Sequence, residues 1–84
     1  QDRQSIIALL EMVTELGTST KGVLRATTDF RSILKAWPPV ATKLNRAKAR
    51  ALTTVDGLIS ELDKGVRLIS AVEEEIRRIL RQEE

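Results

Sequence analysis

Residues 34–44 read LKAWPPVATKL, and the Trp37-Pro38-Pro39 at their centre decides how the 84-residue chain folds. A residue that precedes proline is pushed out of the α region. Ala36 and Trp37 therefore end whatever helix comes before them. Proline is acceptable in the first turn of a new helix, so the chain can restart at Pro39 or Val40. A short connection between two long helices makes them antiparallel neighbours.

Both sides of this break carry helical periodicity. Upstream, alternate steps of three and four pick out Ile6, Leu9, Val13, Leu16, Thr20, Val23, Thr27, Phe30, Leu34 and Trp37. Downstream they pick out Leu44, Lys48, Ala51, Val55, Leu58, Leu62, Gly65, Ile69, Val72, Ile76 and Ile79. Such stripes belong to helices that lie along other helices. The spacing predicts one domain over residues 1–84. It has a helix over about 3–36, a turn at 37–39 and a helix over about 40–82. The predicted fold class is all-α, an antiparallel helical hairpin with heptad packing. With the turn centred on 38–39, facing residues should have numbers that add to about 77.

Two places leave alternatives open. Gly17-Thr18-Ser19-Thr20-Lys21-Gly22 costs roughly 2–4 kcal/mol of helix propensity against alanine. Either it breaks the first helix, which would give three helices, or the helix continues, since Thr20 and Val23 stay in phase. Gly65 stands on the second stripe, where a missing side chain would let helices approach; it could equally be a glycine the helix tolerates. Thr20 and Thr27 on the first stripe could specify register, as buried polar residues do, or bond back to their own helix.

The apolar stripes are wider than two helices need. Leu10, Met12, Leu24, Ala26 and Ile33 flank the first, and Leu52, Ile59, Val66, Leu68 and Leu80 flank the second. A two-stranded seam uses two heptad positions, whereas stripes spanning over about 100° belong to bundles. Leaving five or six such side chains in water forgoes on the order of 8–15 kcal/mol of burial at ~25 cal/mol per Å². The expectation is that the hairpin completes a helical bundle by oligomerisation, with helical protein partners that are either further copies or different chains. The interaction residues expected are Leu9, Leu16, Val23, Phe30 and Trp37 against Leu58, Leu62, Ile69, Val72 and Ile76.

Composition removes most chemistry. The chain has no Cys and no His, so thiolate zinc sites, Cys nucleophiles and His general bases are absent. Asp56, Glu61 and Asp63 form no convergent acid–base pair or calcium cage. No Walker loop, GxSxG or HExxH occurs. No enzyme activity, cofactor or metal is expected. No stretch has the ~20 apolar residues of a membrane span and none reads as a signal sequence. That favours an intracellular place while leaving a secreted one open. The start at Gln1 suggests a segment of something longer.

Net charge is +2 but uneven. Five bases and no acid lie between Lys35 and Arg50; five acids and three bases lie between Glu73 and Glu84. Lys43, Arg46, Lys48 and Arg50 could bind a polyanion or an acidic membrane surface, or form a solvated helix face. Nucleic acid is disfavoured, because its binders carry denser charge or stacking aromatics. Trp37 could anchor a partner or plug the hairpin end. On the acidic end, Glu73–Arg77 and Glu74–Arg78 have the spacing of helical ion pairs.

The stretch TTDFRSILKAWPPVATKLNRA, residues 27–47, resembles the end of small fungal DASH-complex subunits. The shared pattern falls on Thr28, Ile33, Leu34, Trp37, Val40 and Leu44, about a quarter of the chain. The chain departs from it in Pro38-Pro39 and in the long helix that follows. The resemblance implies a non-enzymatic subunit of a helical assembly at the kinetochore–microtubule junction.

Overall fold

The computed structural model describes residues 2–38 and 42–82. They form two helices, α1 (Arg3–Ala36) and α2 (Thr42–Gln82), packed side by side as an antiparallel hairpin. Its extents are 63 × 14 × 13 Å and its radius of gyration 19.0 Å. A compact chain of this length would have a radius near ~12 Å. The molecule is a rod two helices wide.

Asp2 caps α1, its Oδ1 accepting the Gln4 N–H at 3.2 Å, which occupies one of the orphan donors of a helix start. The helix then runs unbroken through Gly17–Gly22. The heptad phase keeps one face of the segment on α2, and that packing offsets the poor propensity there. The hydroxyls of Thr18 and Thr20 bond back to the carbonyls of Thr14 and Leu16, at 3.1 and 2.8 Å, and so leave no donor unsatisfied. Thr27 does the same to Val23 at 2.7 Å. The two seam threonines thus satisfy themselves locally, and neither bonds across to α2.

At its far end α1 stops at Ala36. Trp37 turns extended, with its N–H donating to the Leu34 carbonyl at 3.3 Å, as a residue before Pro38 must. The expected start of the second helix near Val40 lies outside the described residues. Lys48 closes the junction. Its Nζ donates to the carbonyls of Lys35 and Trp37, a cation at the negative end of a helix.

The register differs from the expected one. A Cβ on Gly17 would meet Ile69 Cγ2 at 3.3 Å, and Arg31 pairs with Asp56 across the helices. Facing numbers therefore add to 86 or 87, not 77. The reason lies at the junction: the first two turns of α2 extend past the end of α1, so Arg50 and Ala51, not Thr42, stand level with Ala36, and Lys48 reaches back to the α1 terminus. The last turns of α2 consequently run beside the start of α1. Ile76 and Leu80 lie alongside Leu10 and Ile6, and Ile6 is 3 % exposed. On the surface of α2, Arg77 pairs with Glu73 at 2.7 Å, but Arg78 takes Glu75 in place of Glu74; an exposed guanidinium reaches either neighbour.

Candidate interaction face

The side chains between the helices define which heptad columns are used. On α1 the seam is Ile6, Leu10, Val13, Gly17, Thr20, Leu24, Thr27, Arg31 and Leu34, with Ile7 half-buried beside it. On α2 the seam is Lys48, Leu52, Val55, Ile59, Leu62, Val66, Ile69, Glu73, Ile76 and Leu80, with Ala51, Asp63 and Gly65 half-buried beside it. The steps run four, three, four, three. This corrects the seam expected from sequence. Half of that seam is in place: Ile6, Val13, Thr20, Thr27 and Leu34 on α1, with Lys48, Val55, Leu62, Ile69 and Ile76 on α2. The other half is rotated outward. Leu9, Leu16, Val23, Phe30 and Trp37 are all more than half exposed, as is Val72, with Leu58 close behind. In their place come residues expected as flanks: Leu10, Leu24, Leu52, Ile59, Val66 and Leu80.

The physical reason is close approach. Gly17 brings the α1 backbone onto Ile69, and Arg31 on the same column holds Asp56. Gly65, read from the sequence either as a point of close approach or as a glycine the helix tolerates, has nothing within 4 Å of an added Cβ; the column it belongs to faces away from α1.

The residues turned out form a second heptad seam on α1. Leu9, Met12, Leu16, Ser19, Val23, Ala26, Phe30, Ile33 and Trp37 follow steps of three and four without a slip and share no member with the inner seam. At 100° per residue the two seams are centred about 110° apart. On α2 the corresponding outward column is Leu44, Ala51, Leu58, Gly65, Val72 and Ile79. Because the helices are antiparallel right-handed helices, the two outward columns emerge on the same side of the hairpin. The junction shows this directly: Trp37 and Pro38 line an apolar groove of about 320 Å³ together with Leu44, Ala47 and Ala51. The opposite side of the hairpin carries Ile7, Thr14, Lys21, Thr28 and Lys35 against Ala49, Asp56, Asp63, Ser70 and Arg77, polar except for Ile7 and Ala49 at its two ends. The rod thus has one apolar long side and one polar long side.

Trp37 is 65 % exposed. It forms one wall of the end groove and leaves it open, so it does not plug the hairpin end. Of the basic residues, Lys43, Arg46 and Arg50 are exposed on the outer surface of α2, while Lys48 is engaged at the α1 terminus. Among the described residues no group of acidic side chains gathers as a metal site, and no helix is long and apolar enough to cross a membrane. Comparison with family models, curated proteins and solved structures gives no match.

Proposed function

We propose that this chain is a non-enzymatic protein–protein interaction domain, half of a coiled-coil-like helical bundle whose other half docks on the apolar side. The observation that supports this is the second seam. Seven large apolar side chains of α1 (Leu9, Met12, Leu16, Val23, Phe30, Ile33 and Trp37) stand at least half exposed along one line. Scattered exposed apolar residues need no explanation; a contiguous apolar face on a soluble surface does. Among the described residues the hairpin alone has a single nearly inaccessible apolar side chain, Ile6, whereas domains of this size rest on a packed core.

The test is solution mass by light scattering together with helicity by circular dichroism. Assembly through this face makes helicity and melting temperature depend on concentration, or leaves the isolated chain poorly helical for want of a partner. A highly helical monomer with a concentration-independent melting point, unchanged by Leu16→Asp, overturns the reading. The resemblance to DASH subunits is the heteromeric form of the same proposal. Ile33, Trp37 and Leu44, three of the six residues that carry it, stand on the apolar side; Val40 lies outside the described residues.

A second reading is supported by Trp37, exposed at the basic end beside Lys35, Lys43 and Arg46. An amphipathic rod of this kind can lie on an anionic lipid surface with its indole at the interface. Co-sedimentation with vesicles rich in anionic lipid, lost when Lys43, Arg46 and Arg50 are neutralised, is its required result.

A further inference from the structure

We infer that the occupant of the apolar side is a second copy of this chain, laid face to face and end for end. The inference rests on the interaction-face reading above and adds to it the identity and direction of the partner. Charge sets the direction. The hinge end of the rod, residues 30–56, carries six bases and one acid. The opposite end, residues 2–16 with 70–82, carries six acids and four bases. Two copies with hinge ends together would stack like charges. Two copies reversed bring each basic end onto an acidic one.

Side-chain size then sets the offset. In an antiparallel pair of α1 helices, seam residues meet in layers at a constant sum, and the heptad allows only steps of seven. With the two-fold axis crossing α1 near residues 24 and 25, Phe30 stands over the partner's Ser19 and Val23 over the partner's Ala26. Each is large on small, the arrangement that fills a core. The internal register of 86 to 87 then fixes α2 with no further choice, and its axis falls near residues 62 and 63. At that offset Arg50 comes level with the partner's Glu75, and Lys64 level with the partner's Glu61, along one outer edge where each chain by itself pairs Lys64 with Glu61 and Arg78 with Glu75. A shift by one heptad loses both matches. The ends also fit. The open groove beside Trp37 comes level with the partner's Met12, 65 % exposed in the single chain, and a flexible thioether suits an irregular apolar gap.

The chain has no cysteine, which makes a single introduced label clean. A nitroxide on Ala8→Cys, exposed and off the seam, reports direction by dipolar electron resonance. The reversed dimer separates the two labels by about 50 Å along the rod at 1.5 Å per residue. A hinge-to-hinge dimer brings them within about 30 Å, the width of four packed helices. Arg50→Glu should weaken the dimer roughly three- to tenfold, and mixing it with Glu75→Arg chains should restore the affinity. A dimer with the short distance overturns this inference and leaves the interaction face standing. So does a poorly helical monomer at 100 µM, which would call for a different partner. A stable, fully helical monomer overturns both. A dimer at the long distance whose affinity ignores the charge swap overturns the offset.

Discussion

The two seams of α1 differ in a way that runs against expectation. The inner one, which holds α2, contains Gly17, Thr20, Thr27 and Arg31 among its nine members. The outer one contains Leu9, Met12, Leu16, Val23, Phe30, Ile33 and Trp37, and faces water. The helix therefore gives its partner in the hairpin the smaller and more polar column. Small residues permit close backbone approach, which is enough to fix two helices in register. They bury little. The bulky column holds most of the apolar surface α1 owns, and burying that surface needs a third and fourth helix. The inner seam sets geometry, and the outer seam stores the larger share of hydrophobic free energy.

That division can be broken most severely at the inner seam. Ile69→Asp puts a carboxylate at the half-buried seam position that faces Gly17, where the apolar contact is lost and a charge is partly desolvated. The expected cost is about 3–5 kcal/mol, seen as loss of most helicity by circular dichroism at any concentration. Leu16→Asp stands on the same helix level and faces outward. It should leave the hairpin's own packing untouched and abolish association only. Equal loss of helicity at low concentration in the two variants would show that the seams are not separable.

How much of this was legible in the sequence follows from the same columns. Trp37-Pro38 and the two periodic stretches are local signals, so both helices and the hairpin could be read directly. Which columns touch could not. Four neighbouring columns of α1 are largely apolar, and any adjacent two of them give an unbroken three-four count. Size drew the reading to Leu9, Phe30 and Trp37, although the contact is made by Gly17 and Thr20. The usable signals were pairwise: a buried-seam glycine opposite a β-branched Ile69, and an Arg31 that needs Asp56. Both also reveal the register. Pro38-Pro39 marks where the first helix ends but not where the second comes level with it, because Lys48 anchors α2 to the end of α1 from further along. The basic cluster hides that anchor, since nothing in Lys43, Arg46, Lys48 and Arg50 marks one lysine as different until the α1 terminus is in place.

Lys48 gives the next test of the contrast, because it is a polar member of the inner seam. Lys48→Met keeps the stem and removes the cation from the Lys35 and Trp37 carbonyls. The expected loss is about 1 kcal/mol, that of a charged donor at a helix C-terminus, read as a lower melting temperature at every protein concentration. Lys43→Met, one turn away and exposed, should change stability by less than about 0.5 kcal/mol. A melting loss as large for Lys43→Met would mean that general charge, not the cap, is what Lys48 supplies.

The finest test uses glycine to read which side of the hairpin is covered in solution. Replacing an exposed mid-helix glycine with alanine gains about 0.5–1 kcal/mol, because the unfolded chain loses freedom and the folded helix gains propensity. Gly57 is exposed, lies away from both seams, and has nothing within 4 Å of an added Cβ, so Gly57→Ala should show that gain at every protein concentration. Gly17→Ala gains the same propensity and loses it again, since the new methyl meets Ile69 Cγ2 at 3.3 Å; its net effect should lie near zero. Gly65 decides between them. In the single hairpin its Cβ also meets open space, so at low concentration Gly65→Ala should match Gly57→Ala. Its column is on the apolar side, and at concentrations where a second copy covers that side the added methyl must be accommodated in the new seam. The gain at Gly65 should therefore shrink with rising concentration while the gain at Gly57 does not. Thermal unfolding of the three variants at two concentrations measures it, and parallel behaviour of Gly57→Ala and Gly65→Ala throughout would show that the outer seam stays in water.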